Sequence, residues 1–514
     1  NRTYLTNAAP NIRQVKHSPR EPASTNAVRV TAKVTDPHGV ASVVLHYQVV
    51  APGKFIPSYI PLTLAQLDAN PFAVPAVNPA FEAATNWLAL VMRDDGLDGD
   101  ETAGDDLYTA MVPVQPNRTL VRYRITCADT FGAARRAPFE DDPSLNFAFF
   151  VYDGVPAYGG IAASNLVTVP IYFLITRNED FEICTAYDPA NQIPQTKGSL
   201  ANEARFVFNW PGAIVYDGEV YDHIRYRLRG ANGRYQPGKR NFRIKFNDGR
   251  ALAARDEFGN AYPRKWRFLN TAKGQSNRQT LTFALNEYVN YFLLNKVGVP
   301  SPHSFYFHWR VVRGPQEAPD LYNGDFYGLS WAQENYDAEF LETHKLPKGN
   351  LYKLINAVRD SNPYRDMVAQ QRYQGPFAVT NGGDAVRIQN ALLNPTDPQQ
   401  TDDWLLANVN YTNWYAYHTV CEAVRNYDTW PSANKNAAWY FDTNYTAANQ
   451  FMGRFWTLPW DMTDTWGPTW NAGQDLAWNG IWGASASVHT NLQRDYRNTM
   501  REIRDLLFQP GQIN

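Results

Sequence analysis

Asp461 closes the run Leu458-Pro-Trp-Asp461, a carboxylate set directly after an apolar strand and ahead of a loop that contains Gly467. A strand fixes the backbone there, so a side-chain oxygen can be aimed at a metal ion. Far upstream, Arg225-Tyr-Arg-Leu-Arg-Gly230 runs into Lys239-Arg-Asn-Phe-Arg-Ile-Lys245, which places a Gly turn between two strands rich in cations. Phosphoryl transfer needs these parts: cations on the phosphate, Mg²⁺ held by carboxylate or amide oxygens, and a carboxylate that orients the attacking hydroxyl. Lys239 and Lys245 are the candidates for the phosphate lysine, with Arg229, Arg234 and Arg243 completing the cradle, because Arg suits bidentate phosphate contact. Asp428 precedes Trp430-Pro431 at the end of a helix, where its carboxylate can approach a substrate hydroxyl as orienter or base. Each has a bland alternative. The cations read equally as a solvated strand face, which periodicity alone favours, and Asp428 as a turn residue.

These residues need elements to hold them. From about Asn26 to Tyr152 the chain reads as all-β: Val28, Val30, Ala32 and Val34 alternate with polar residues, and so do Val43 to Val49 and Val121 to Cys127. An immunoglobulin- or fibronectin-like sandwich over 1–153 is the economical expectation. Residues 154–168, rich in Gly, Ala and Ser, read as a linker. An α+β region follows. Tyr221 to Arg229 predicts a strand with Tyr, Ile, Tyr and Leu on one side and cations on the other. Gln279 to Val297 predicts a helix with the stripe Leu281, Leu285, Tyr288 and Phe292, stopped by Gly298 and Pro300. Strands are expected over Phe305 to Val312 and Phe326 to Glu334, and helices over Trp404 to Arg425 and Asn491 to Phe508.

In this order the segments resemble the CotH family of atypical, secreted protein kinases first recognised in spore coats. The resemblance rests on Arg229-Gly230 with Arg234, on Lys239 to Lys245, on Asp428 with Asn434 and Asn436, and on Trp460-Asp461-Met462-Thr463 ahead of Gly467. It implies a protein-kinase-like, two-lobed domain over 169–514, with a small lobe about 169–345 and a helical lobe about 346–514. It also implies use of ATP and Mg²⁺ or Mn²⁺, export to the cell surface or medium, and a secreted or surface protein substrate phosphorylated on Ser or Thr. Within it Lys239 is preferred over Lys245 as the phosphate lysine and Asp428 is catalytic. Asn436 is the Mg²⁺ ligand beside Asp461, with Asn434 the alternative, and Glu334 holds the lysine. The chain departs from the pattern where Thr463 replaces a second acid, which Asp464 would supply, and where Gly233 stands for a Ser. Those departures motivate the alternative of an inactive, kinase-like structural or adhesive surface protein. All these residues are expected to converge on one cleft.

Composition sets the outer bounds. With 514 residues, two or three domains are expected. With 48 basic against 50 acidic residues there is no global field to recruit nucleic acid. No apolar run is long enough to span a membrane. Asn1 in place of Met fits a processed, exported chain or a trimmed one. Asn1, Asn117, Asn410 and Asn444 open Asn-x-Thr sequons. Cys127, Cys184 and Cys421 lack zinc spacing and allow one disulfide at most; buried thiols are expected at Cys127 and Cys421. The stretch Asp94 to Asp106 packs six Asp and one Glu with three Gly, so Asp94, Asp98, Asp100 and Asp105 are candidate Ca²⁺ ligands, against a solvated acidic loop. Zinc-protease, nucleophile-elbow and P-loop motifs are missing, while a paired-carboxylate glycosidase stays open.

Overall fold

The structure is a computed structural model that describes residues 7–70, 72–185, 208–229, 240–256, 258–272, 285–317, 324–354, 371–394, 397–426, 429, 436–463, 465–466, 489–507 and 509–513. It is multidomain and β-rich, and it separates into two compact units. The first comprises Asn1–Leu252, Arg267–Lys273 and Tyr306–Ala332; the second comprises Ala253–Trp266, Gly274–Phe305 and Gln333–Asn514.

In the first unit, period-two alternation decides the early strands. They are β1 (Asn11–Ser18), β2 (Val28–Thr35), β3 (Val40–Val50), β4 (Leu88–Val91), β5 (Leu107–Val112), β6 (Thr119–Asp129), β7 (Ala134–Ala137) and β8 (Phe147–Val151). One sheet runs β1-β2-β5, a second runs β4-β3-β6-β7, and β8 pairs with β6. Val30, Ala32 and Val34 from the first sheet share one core with Leu45, Tyr123, Ile125 and Cys127 from the second, so the two sheets pack as a sandwich.

Seven further strands close on themselves as a barrel: β9 (Ile171–Ile175), β10 (Trp210–Tyr216), β11 (Glu219–Leu228), β12 (Phe242–Lys245), β13 (Phe268–Ala272), β14 (Ser304–Val312) and β15 (Phe326–Gln333), in the order β10-β11-β12-β13-β15-β14-β9. Tyr226 and Phe242 are buried with Trp309 and Tyr327, whose rings meet that of Phe242 at 6.0 Å. Phe173, Ile175, Val215 and Val312 pack against Val50, Leu120 and Phe150 of the sandwich. A buried ion pair crosses the same seam, Arg122 Nε donating to Asp222 Oδ2 at 2.7 Å.

In the second unit, β16 (Asn350–Leu354), β17 (Gln371–Tyr373), β18 (Ala437–Phe441) and β19 (Phe455–Pro459) form an antiparallel sheet ordered β17-β16-β18-β19. Every β18 residue is buried because both faces are covered. Tyr352, Trp439 and Phe455 on one face meet Ala385, Leu405, Trp414 and Tyr496. Leu351, Tyr440 and Leu458 on the other meet Tyr336, Phe340 and Leu341. The helices concerned are α1 (Leu285–Lys296), α2 (Ala338–Thr343), α3 (Gly383–Leu393), α4 (Asp402–Asn408), α5 (Tyr411–Ala423) and α6 (Thr490–Leu507).

Two helix expectations are corrected. The single helix expected over Trp404 to Arg425 is two, α4 and α5. Val409 bridges to Phe455, and the Asn410 side chain accepts from Asn413 N at 3.1 Å, so Asn410 starts a new helix. In α1 the buried residues are Glu287, Asn290, Tyr291 and Leu294, whereas Leu285 and Phe292 of the expected stripe are more than half exposed. An apolar period cannot reveal a helix whose buried face is largely polar. All three cysteines are buried thiols, none of them in a disulfide. Among the described residues no helix is long and apolar enough to cross a membrane.

Candidate functional site

The end of the β18–β19 hairpin gathers two of the expected ligands. Ala437 pairs with Pro459, and Trp460 N donates to Asn436 O at 3.3 Å, so Asn436 and Asp461 leave the sheet from the same end. Both have left-handed backbones, φ 57° at Asn436 and 54° at Asp461. Asn and Asp tolerate that region better than other non-glycine residues, yet it carries a cost that the surroundings must impose. The Thr429 hydroxyl donates to the Asn436 carbonyl at 2.8 Å and lies 2.9 Å from the Tyr417 hydroxyl. Asp461 is exposed, and the Lys353 ammonium sits 3.3 Å over the Trp460 ring beside it.

The polar face of α1 anchors the loop after β19. Asn290 Nδ2 donates to Met462 O at 3.1 Å and to Thr465 Oγ1 at 2.9 Å, and Trp466 Nε1 donates to Asn290 Oδ1 at 3.0 Å. Asn286 Nδ2 donates to Thr465 O at 3.1 Å. The Tyr291 hydroxyl donates to Glu287 Oε1 at 2.7 Å and accepts from Gln333 Nε2 at 2.7 Å and from Asp461 N at 3.1 Å. Burial, reinforced by the Glu287 carboxylate, pushes the Tyr291 phenol well above its ordinary value, so it stays a donor. Asn286, Glu287, Asn290 and Tyr291 escaped the sequence reading. The signal available was their i, i+1, i+4, i+5 spacing, which puts polar side chains on one helical face.

The cationic strands belong to the first unit. β11 pairs antiparallel with β12, Arg225 opposite Lys245 and Arg227 opposite Arg243, so like charges stand directly across the ladder. That arrangement is unfavourable in itself. The Arg243 guanidinium lies 4.1 Å over the Phe268 ring, and Arg229 Nη1 donates to Thr271 O at 3.2 Å. Lys239, Arg234, Asp428, Asn434 and Asp464 lie outside the described residues.

Glu334 is buried, and its ion partners among the described residues are His303 and His344. In the acidic loop, Asp94, Asp100 and Asp105 each bring a carboxylate oxygen within 4.8 Å of the others. Asp98 is not in that group; it lies 3.8 Å from Arg93 Nε. Asp94 accepts from the backbone N of Gly104, Asp105 and Asp106 at 2.8, 3.1 and 3.0 Å, and Asp100 accepts from Gly96 N at 2.7 Å.

A family model described as CotH kinase protein matches residues 226–514, from β11 through the anchored loop to the C-terminus. The match covers more than half of the chain, and the chain belongs to the CotH kinase protein family. No curated protein matches it.

Proposed function

We propose that the chain is an exported protein kinase that uses ATP and Mg²⁺ or Mn²⁺ to phosphorylate Ser or Thr of a secreted or cell-surface protein. The observation that carries this is the Asp461 loop: an exposed carboxylate in left-handed backbone, anchored by Tyr291 and followed by residues tied to Asn290. Left-handed backbone at a non-glycine residue is costly, and such strain clusters at sites that hold a ligand. Asp461 and Asn436 offer a carboxylate and an amide oxygen, the hard donors that Mg²⁺ prefers. A metal bound there would neutralise charge on the transferring phosphate.

The chain's own residues do the rest. Asn436 and Asp461 would hold the ion, with Asn434 the alternative to Asn436 and Asp464 the second carboxylate. Lys239, Arg229, Arg234, Arg243 and Lys245 are assigned to phosphate oxygens, and Asp428 orients the substrate hydroxyl and accepts its proton. The segment 169–514 is the two-lobed kinase-like part in this reading, and 1–153 serves positioning or adhesion.

The test compares wild type with Asp461→Ala, incubated with labelled ATP, Mg²⁺ or Mn²⁺ and an extracellular extract. Label is expected on an extract protein with wild type only, and equal labelling by both overturns the proposal. Thr463, standing where the family has a second acid, favours a second reading, an inactive structural relative that keeps the fold. Thermal unfolding with millimolar ATP and Mg²⁺ separates the two. A ligand at a hundredfold excess over Kd stabilises by about 2.7 kcal/mol, and no shift favours the structural reading.

A further inference from the structure

Three side chains from separate segments meet within the second unit. His303 stands just before β14, Glu334 just after β15, and His344 at the C-terminal end of α2. Glu334 Oε2 lies 3.1 Å from His344 Nε2 and 3.2 Å from His303 Nδ1. One ligand atom from each residue falls within 4.8 Å of the other two. His303 N also donates to Oε2 at 3.1 Å, and Glu334 N donates to His303 O at 2.8 Å, so the backbone itself fixes two of the three residues together.

Hydrogen bonding leaves this cluster incomplete. Glu334 is 3% exposed, yet among the described residues its Oε1 has no hydrogen-bond partner. A buried carboxylate oxygen without a partner is costly. His303 Nδ1, although 3.2 Å from Oε2, lacks hydrogen-bond alignment, so a shared proton does not account for its approach. The two imidazole rings stack at 4.7 Å with planes 15° apart, which holds both side chains in place. Neutral imidazole is the metal-binding form. Tyr262 lies 4.9 Å from the His303 ring and Phe340 4.2 Å from the His344 ring, walling the cluster with aromatic carbon.

We propose that His303, Glu334 and His344 form a binding site for a divalent first-row transition metal, with Zn²⁺ the best fit. Two imidazoles and one carboxylate suit zinc or iron(II), and nitrogen donors disfavour Mg²⁺ and Ca²⁺. His303 Nδ1, His344 Nε2 and a Glu334 oxygen supply the lone pairs. Any proton on those two nitrogens leaves to solvent on binding, and the remaining ring proton sits on His303 Nε2 and His344 Nδ1. Three ligands leave one position open, and His303, with its side chain 30% exposed, gives the route of entry. Such an ion would staple the approach to β14, the exit of β15 and the end of α2. Glu334 then serves this ion instead of a phosphate lysine.

The experiment uses the full chain, stripped with a chelator and titrated with ZnCl₂ by calorimetry and with CoCl₂ by visible absorption. One Zn²⁺ per chain is expected, with visible cobalt bands typical of nitrogen ligation. His303→Gln and His344→Gln each weaken zinc binding by at least about 100-fold and abolish the bands, since losing a ligand should cost no less than losing its outer support. Asp461→Asn leaves both unchanged, which separates this site from the proposed nucleotide metal. His303→Gln is the partly exposed variant expected to keep its circular dichroism. Should either variant unfold, the wild-type cobalt spectrum decides. No stoichiometric Zn²⁺ or no cobalt bands in wild type overturns the proposal, as does equal binding by wild type and folded His303→Gln.

Discussion

Asp222 and Glu334 are both buried carboxylates beside a histidine, one in each compact unit, and their surroundings treat them in opposite ways. Asp222 Oδ2 accepts from Arg122 Nε at 2.7 Å and Asn146 Nδ2 at 3.0 Å, and Oδ1 accepts from Arg122 Nη2 at 3.1 Å and His223 N at 2.8 Å. Every oxygen is satisfied by a permanent donor. Among the described residues Glu334 has no arginine partner, and only one of its oxygens is engaged. A saturated carboxylate reads as architecture, while one left short reads as waiting for a ligand. In the acidic loop, Asp94 accepts three backbone amides, while Asp94, Asp100 and Asp105 still bring carboxylate oxygens together.

The largest expected effect breaks the saturated case. Arg122→Ala strands the Asp222 charge and should cost ~3–5 kcal/mol in urea unfolding; a loss below 1 kcal/mol would show that Asp222 does not depend on its arginine. Acid should attack the same place. Burial pushes His223 down to about 4 from 6.5, against the pull of Asp222 and with the help of Arg122 and Arg124. Its folded value is depressed, so the unfolded chain binds the proton more readily. Stability from this group is complete above about pH 6.5 and declines as pH falls towards 4, by roughly 3 kcal/mol at 1.36 kcal/mol per unit. His223→Phe should flatten that decline.

Removing both His303 and His344 by alanine substitution leaves the Glu334 carboxylate with one backbone donor. A cost of ~2–3 kcal/mol is expected in metal-free buffer, smaller than at Arg122 because an imidazole offers fewer donors than a guanidinium. Added Zn²⁺ should raise the melting temperature of wild type and leave the double variant unmoved. Smallest is Asp94→Ala, about 1 kcal/mol, visible as faster hydrogen exchange at Gly104, Asp105 and Asp106. If millimolar Ca²⁺ protects those amides strongly in wild type, the loop belongs with Glu334 and not with Asp222.

What could be read from the residues followed from one rule, that apolar side chains seek the inside. Val28 to Val34 and Ile224 to Leu228 declared their strands because a period of two sorted them cleanly. The end of β19 ahead of Asp461 was legible because Leu458 and Trp460 are apolar and buried. The rule fails where polar groups are buried against each other. It put the face of α1 on Leu285 and Phe292, when Asn290 and Tyr291 face inward to hold the Asp461 loop. It ran one helix through Val409, whose pairing with Phe455 is a long-range event. His303 and His344 carry no motif spacing, and only folding brings them to Glu334.

The barrel closes through the parallel pairing of β9 with β14, Ile171 opposite His308 and Ile175 opposite Val312. During synthesis the first of these strands emerges long before its partner exists. The 137 residues added after Ile171 to reach His308 take on the order of ten seconds or more at about 5–20 residues per second. Throughout that interval β9 can pair with β10 but presents its other side unpaired to the cell. A nascent chain of this protein therefore carries a sticky strand edge for a defined period, and ribosome-bound intermediates ending before His308 are the ones that should need a chaperone.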